Sequence, residues 1–122
     1  MPILERGVMY RQGDVLIVPV PGTAQETPSA IAAEIARLEP AARDGRGRMV
    51  LALGESTGHA HAVVGKGALY RGRTELAPMH LHLPQGGRVV HEEHAAFALP
   101  PGWYRVIRQR EYEPGSVRIV AD

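Results

Sequence analysis

A chain of 122 residues is one domain by prior, long enough to bury roughly two-thirds of its unfolded surface around a single core. Its 44% hydrophobic and 22% charged content excludes a disordered chain, and the absence of cysteine excludes disulfides, thiolate metal sites, iron–sulfur ligation and thiol nucleophiles. Any metal would therefore be held by imidazole and carboxylate, and a net charge of +1 supplies no global field for nucleic acid or an anionic membrane, leaving only local patches.

No apolar run approaches the roughly 20 residues that a spanning helix needs. The opening MPILERGVMYRQGD lacks the basic-then-apolar order of a signal peptide, and the expected location is cytoplasmic.

In chain order, residues 1–13 read as a lead-in that ends in a turn at Gly13. The run DVLIVPVP from Asp14 is rich in branched residues and bounded by Gly13 and Pro21-Gly22, as a strand is. Pro19 removes one ladder donor, which places this strand, or at least its end, at a sheet edge. A helix is expected near residues 28–38: Thr27 is the candidate N-cap, Pro28 suits the first helical position, and Ile31, Ile35 and Leu38 share one face. Pro40 ends it, and ARDGRGR follows as a solvated linker rather than a phosphate loop, because it feeds a strand and not a helix.

The remainder alternates short apolar runs with glycine or proline. The predicted strands are Met49–Leu53, Ala60–Val64, Ala68–Arg71, His80–Leu83, Arg88–His91, Ala95–Leu99, Trp103–Glu111 and Val117–Val120. Pro100-Pro101-Gly102 reads as a tight turn in which glycine takes a positive backbone angle. The expectation is a single β-rich domain over residues 1–122, an antiparallel β-sandwich or small barrel, with a helix and polar linker inserted at about 23–47.

All six histidines fall in three close pairs: His59 and His61, His80 and His82, His91 and His94. Residues two apart on a strand share a face and stand roughly 6.5–7 Å apart, so two imidazoles can converge on one ion if another element supplies further ligands. His91 and His94 can supply them, since a spacing of three suits a turn or bulge that re-aims side chains. The expected metal ligands are therefore His59, His61, His91 and His94, for Zn, Fe, Mn or Ni; imidazole does not choose among them.

Glu55, Glu92 and Glu93 are the nearest carboxylates in sequence; each can be a ligand, a partner that orients an imidazole, or a solvated acid. Glu55, Glu92 and Tyr104 are the candidate catalytic groups. His80 and His82 alternate with Met79, Leu81 and Leu83, which a half-buried strand explains without any site. His91-Glu-Glu-His94 differs from the zincin motif, whose histidines are four apart on a helix.

The strand-rich layout, the H-x-H of His59 and His61 and the segment AFALPPGWYRV resemble a small cupin, a β-barrel that holds a metal on histidines and a carboxylate. Gly54, His59, His61, Pro100 and Gly102 match in kind; Gly65 stands where the cupin glutamate would, and Tyr104 or Arg105 where its late histidine would. The combination RQGDVL, GESTGHAH, HEEHA with LPPG, and RQREY is similar to short bacterial and phage proteins, over nearly the whole chain except the helix and linker. That likeness implies no activity.

Beyond Trp103, Tyr104, Val106, Arg108, Arg110 and Tyr112 share one strand face. Arginines among aromatics can grip a nucleic-acid backbone through Arg108 and Arg110, although an outer strand face carrying arginine stems explains them as well. The sequence points first to a histidine site for a divalent transition metal, with hydrolysis or another metal-assisted reaction on a small or phosphorylated substrate as the reaction class. The alternatives are metal-free histidine acid–base catalysis on a phosphodiester or ester, and a protein- or nucleic-acid-binding module.

Overall fold

The computed structural model describes residues 8–53, 59–72, 74, 77–108 and 118–120, the last three as backbone. Two sheets pack face to face. The first has six strands: β1 (Val8–Gln12), β2 (Val15–Val20), β5 (Ala68–Tyr70), β6 (Met79–Leu83), β9 (Gly102–Arg108) and β10 (Arg118–Val120), ordered β10-β1-β2-β9-β6-β5. The second has four: β3 (Met49–Leu53), β4 (Ala60–Val64), β7 (Gly87–Val90) and β8 (Phe97–Leu99), ordered β3-β4-β7-β8. All pairings are antiparallel except β1 with β10. The fold is a small β-sandwich, and among the described residues the sheets do not close into a barrel.

Alternation along each strand builds the core. Val15, Ile17, Leu69, Leu81, Tyr104 and Val106 from the larger sheet meet Met49, Leu51, Val63, Val89 and Leu99 from the smaller one, all nearly or fully buried. Burying these side chains is the main favourable term for a chain that has no disulfide.

Three local expectations need revision and a fourth holds in part. Residues before Gly13 include a strand, β1, and β2 lies inside the sheet over Val15–Ile17. The β1 register ends at Tyr10 with Ile17, whereas β9 pairs β2 as far as Val20, so the end of β2, with Pro19, is an edge held by β9 alone, as the missing donor predicts. The helix is one turn, α1 (Ala32–Ile35), because Ile31 leaves helical geometry (φ −122, ψ 2) and is buried instead, while Thr27 makes no cap. Four residues cannot sustain a helix without tertiary contacts. Gly102 lies inside β9 and takes no positive φ.

The segment from Pro21 to Pro40 covers the outer face of the larger sheet. His82 Nε2 donates to Ala24 O at 2.7 Å, His80 Nε2 lies 3.3 Å from Glu34 Oε2, and Pro40 bridges to Tyr70. Beneath it Trp103 stacks on His82, ring centroids 4.1 Å apart. None of the described helices is long and apolar enough to cross a membrane.

Candidate metal centre

Three connections meet at one end of the sandwich. The β1–β2 hairpin turns through Gly13 and Asp14, β4 begins there with Ala60 and His61, and β7 delivers His91 into the loop that leads to β8. His61 and Val63 are two apart on β4, so His61 points into the space between the sheets as Val63 does, at the rim of the core. Its exposure is 8%.

The hairpin fixes this ring. Gln12 is fully buried; its Nε2 donates to Ala95 O at 3.0 Å, and its Oε1 lies 2.9 Å from His61 Nδ1. An amide nitrogen committed to a carbonyl leaves the amide oxygen facing the ring, so His61 carries its proton on Nδ1 and presents a bare lone pair at Nε2. Burial lowers the His61 pKa to about 4, with the neighbouring His91 and His94 adding to it and the Asp14 charge opposing it. The ring is therefore neutral at physiological pH, which is the form that binds a metal.

Gly13 supplies the room. It adopts φ +60, and a Cβ there would stand 3.1 Å from His61 Cε1 and 3.1 Å from His94 Nε2. Asp14 beside it is bound by Arg108, whose Nη2 and Nε lie 2.8 and 3.1 Å from Oδ2. Burial pushes the Asp14 carboxyl up, but the Arg108 hydrogen bond and charge outweigh it and the net shift is downward. An ionised carboxylate is thus held at the rim of the cluster.

The ligand nitrogens of His61, His91 and His94 lie within 4.8 Å of one another. Tetrahedral ligands at 2.0–2.1 Å stand about 3.4 Å apart, so the three need to close by no more than about 1.4 Å. Ring separations agree: centroids around one ion are about 5 Å apart by the same geometry. Observed values are 4.3 Å for His61 and His91, 4.7 Å for His91 and His94, and 5.6 Å for His61 and His94.

His91 has a second task. Its Nδ1 accepts the backbone N–H of Glu93 at 3.0 Å and of His94 at 3.3 Å, capping the turn that carries His94. In the neutral ring the proton then sits on Nε2.

His59 stands one residue before β4 and groups instead with His91 and Glu92, again within 4.8 Å. The four expected ligands thus divide into a triad of His61, His91 and His94 and an outer set to which His59 belongs. Glu92, exposed, accepts the Ala60 N–H at 2.9 Å, which with nearby His59 and His91 holds its carboxyl below the usual range.

Tyr104, expected at the site, lies instead in the core: its hydroxyl donates to Pro100 O and its ring packs edge-on against Tyr10. Burial raises its pKa well above the ordinary phenol value, so it stays protonated. His80 and His82 belong to the other sheet and face the covering segment. Arg108 is engaged with Asp14; Glu55, Arg110 and Tyr112 lie outside the described residues.

Gln12, Gly13 and Asp14 were not legible as site residues from histidine spacing. The available signal was RQGD before an apolar run, since glycine at the first central position marks a two-residue hairpin.

No curated protein and no solved structure matches this chain. The model of a family described as a domain of unknown function, DUF8820, matches residues 11–109, a span that contains Gln12, the hairpin turn and every histidine. The chain belongs to the DUF8820 family.

Proposed function

We propose that this protein binds one divalent transition-metal ion on Nε2 of His61 and on His91 and His94, with a coordination position left for water or substrate. The observation that carries this reading is Gln12, a fully buried amide that holds the His61 proton on Nδ1 and leaves Nε2 for a metal. A ligating histidine almost always donates its other ring N–H to an acceptor that orients it, and here the Gln12 amide oxygen is that acceptor.

Three neutral imidazoles leave the ion its full charge, and such an ion makes a bound water acidic enough to attack near neutral pH. Metal-assisted hydrolysis of a small or phosphorylated substrate is the reaction class that follows. Zn, Fe, Mn and Ni all suit the donor set. Metal-free acid–base catalysis fits less well, because a base with a pKa of about 4 has little drive to take a proton at pH 7. Elemental analysis of protein purified without an affinity tag tests the reading: about one ion per chain supports it, and protein that neither carries nor takes up any of these metals overturns it.

A further inference from the structure

His59, His91 and Glu92 form a second group of potential ligands beside the triad, and the two groups share His91. The inner triad lies at the rim of the core, with His61 only 8% exposed. The outer group faces solvent: Glu92 is exposed and the His59 side chain is 29% exposed. Glu92 Oε1 accepts the Ala60 N–H, and the carboxylate also interacts with its own backbone N–H, which fixes it beside the start of β4.

The shared residue decides how the two groups relate. His91 Nδ1 accepts the Glu93 and His94 backbone N–H groups, and a neutral imidazole has a single lone pair to give, whichever nitrogen presents it. One nitrogen lone pair binds one ion, and the groups cannot be filled together through it.

From this geometry we infer that His59, His91 and Glu92 are an outer cation station, from which a divalent ion passes to His61, His91 and His94 while His91 stays attached. The inference rests on the proposed inner metal site. Chemistry favours that direction of travel. The outer station offers a carboxylate in high-dielectric surroundings, which captures a hydrated cation quickly; the inner one offers a third imidazole and a less hydrated setting, which holds a transition metal tightly. A transfer that keeps one bond throughout avoids a fully released, desolvated ion.

The test is stopped-flow uptake of Co2+ by the metal-free full chain, followed by cobalt absorbance, with final stoichiometry read from the same titration. Glu92→Gln is the main variant because its amide oxygen can still accept the Ala60 N–H. His59→Ala is the second, and Glu39→Gln, an exposed acid in the segment over the opposite sheet, controls for loss of surface charge.

The expected result is one ion per chain in every case, with uptake and release both slowed about tenfold or more in Glu92→Gln and His59→Ala. Glu39→Gln should match the wild type. One ion with unchanged rates in both site variants overturns this inference alone. Two ions bound together in the wild type also overturn it, since His91 would then bridge through both nitrogens. No uptake at all overturns the inner site and this inference with it.

Discussion

Gln12 Oε1 and His61 Nδ1 are 2.9 Å apart, and the same amide is tied through its nitrogen to Ala95 O. One side chain from the larger sheet thereby sets the tautomer of a histidine on the smaller sheet and anchors the loop that carries His94. Gln12→Ala should weaken Co2+ affinity by about 10–100-fold. It should also cost about 1–3 kcal/mol of stability, because a buried ring nitrogen loses its partner. Metal titration and urea unfolding of the variant check both; unchanged affinity would remove the tautomer account.

Acid should destabilise the metal-free protein in a defined window. The unfolded chain protonates His61 below the ordinary histidine value of 6.5, whereas the folded ring refuses the proton until about pH 4. The unfolded state therefore binds more protons between these values, and stability falls as pH falls across them, by up to about 3 kcal/mol. Below pH 4 this contribution levels off. Urea unfolding in chelator from pH 7 to 4 should show the slope in the wild type, and His61→Gln should reduce it.

Loading the site should disturb the turn after β7. With Nδ1 accepting two backbone N–H bonds, neutral His91 carries its proton on Nε2, the nitrogen an ion would take. Binding displaces that proton, and returning it to Nδ1 breaks the two bonds. Amide hydrogen exchange at Glu93 and His94 should change on adding Zn2+, while amides in β9 stay as they were. Identical exchange at those two positions with and without metal would count against ligation by His91.

Replacing both His80 and His82 with alanine should lower stability without removing the metal. His80 is 1% exposed, His82 stacks on Trp103, and together they tie down the segment from Pro21 to Pro40. The expected loss is on the order of 2 kcal/mol. Thermal unfolding and metal content of the double variant check this; loss of metal with the fold intact would mean that all three pairs share a larger site.

Period-two alternation made the strands legible: Met49–Leu53 and Ala60–Val64 match their predicted bounds, and the later strands differ by a residue or two where described. The same local signal could not say which strands share a sheet. His59-x-His61 and His80-x-His82 look alike in sequence, yet one lies at the rim between the sheets and the other under a covering segment. Ile31, Ile35 and Leu38 have the spacing of a longer helix, but burial of Ile31 outside helical geometry wins locally. Tyr104 stands where the cupin resemblance would put a late histidine. Its hydroxyl is spent on Pro100 O, four residues back, which spacing alone does not reveal. Gln12 escaped notice because its role depends on a ring 49 residues away.

The most direct test of the metal centre is a melting-temperature series from about pH 5 to 8, with and without chelator, repeated with added Zn2+, Fe2+, Mn2+ and Ni2+. An ion bound to the native state raises stability only while it is bound, and protons compete for neutral imidazole as pH drops through about 6.5. The account predicts that the metal-loaded protein melts well above the chelated protein at pH 8. It further predicts that the gap narrows through pH 6.5 and is absent in His61→Ala. Melting curves that coincide at every pH, whatever metal is added, would contradict it.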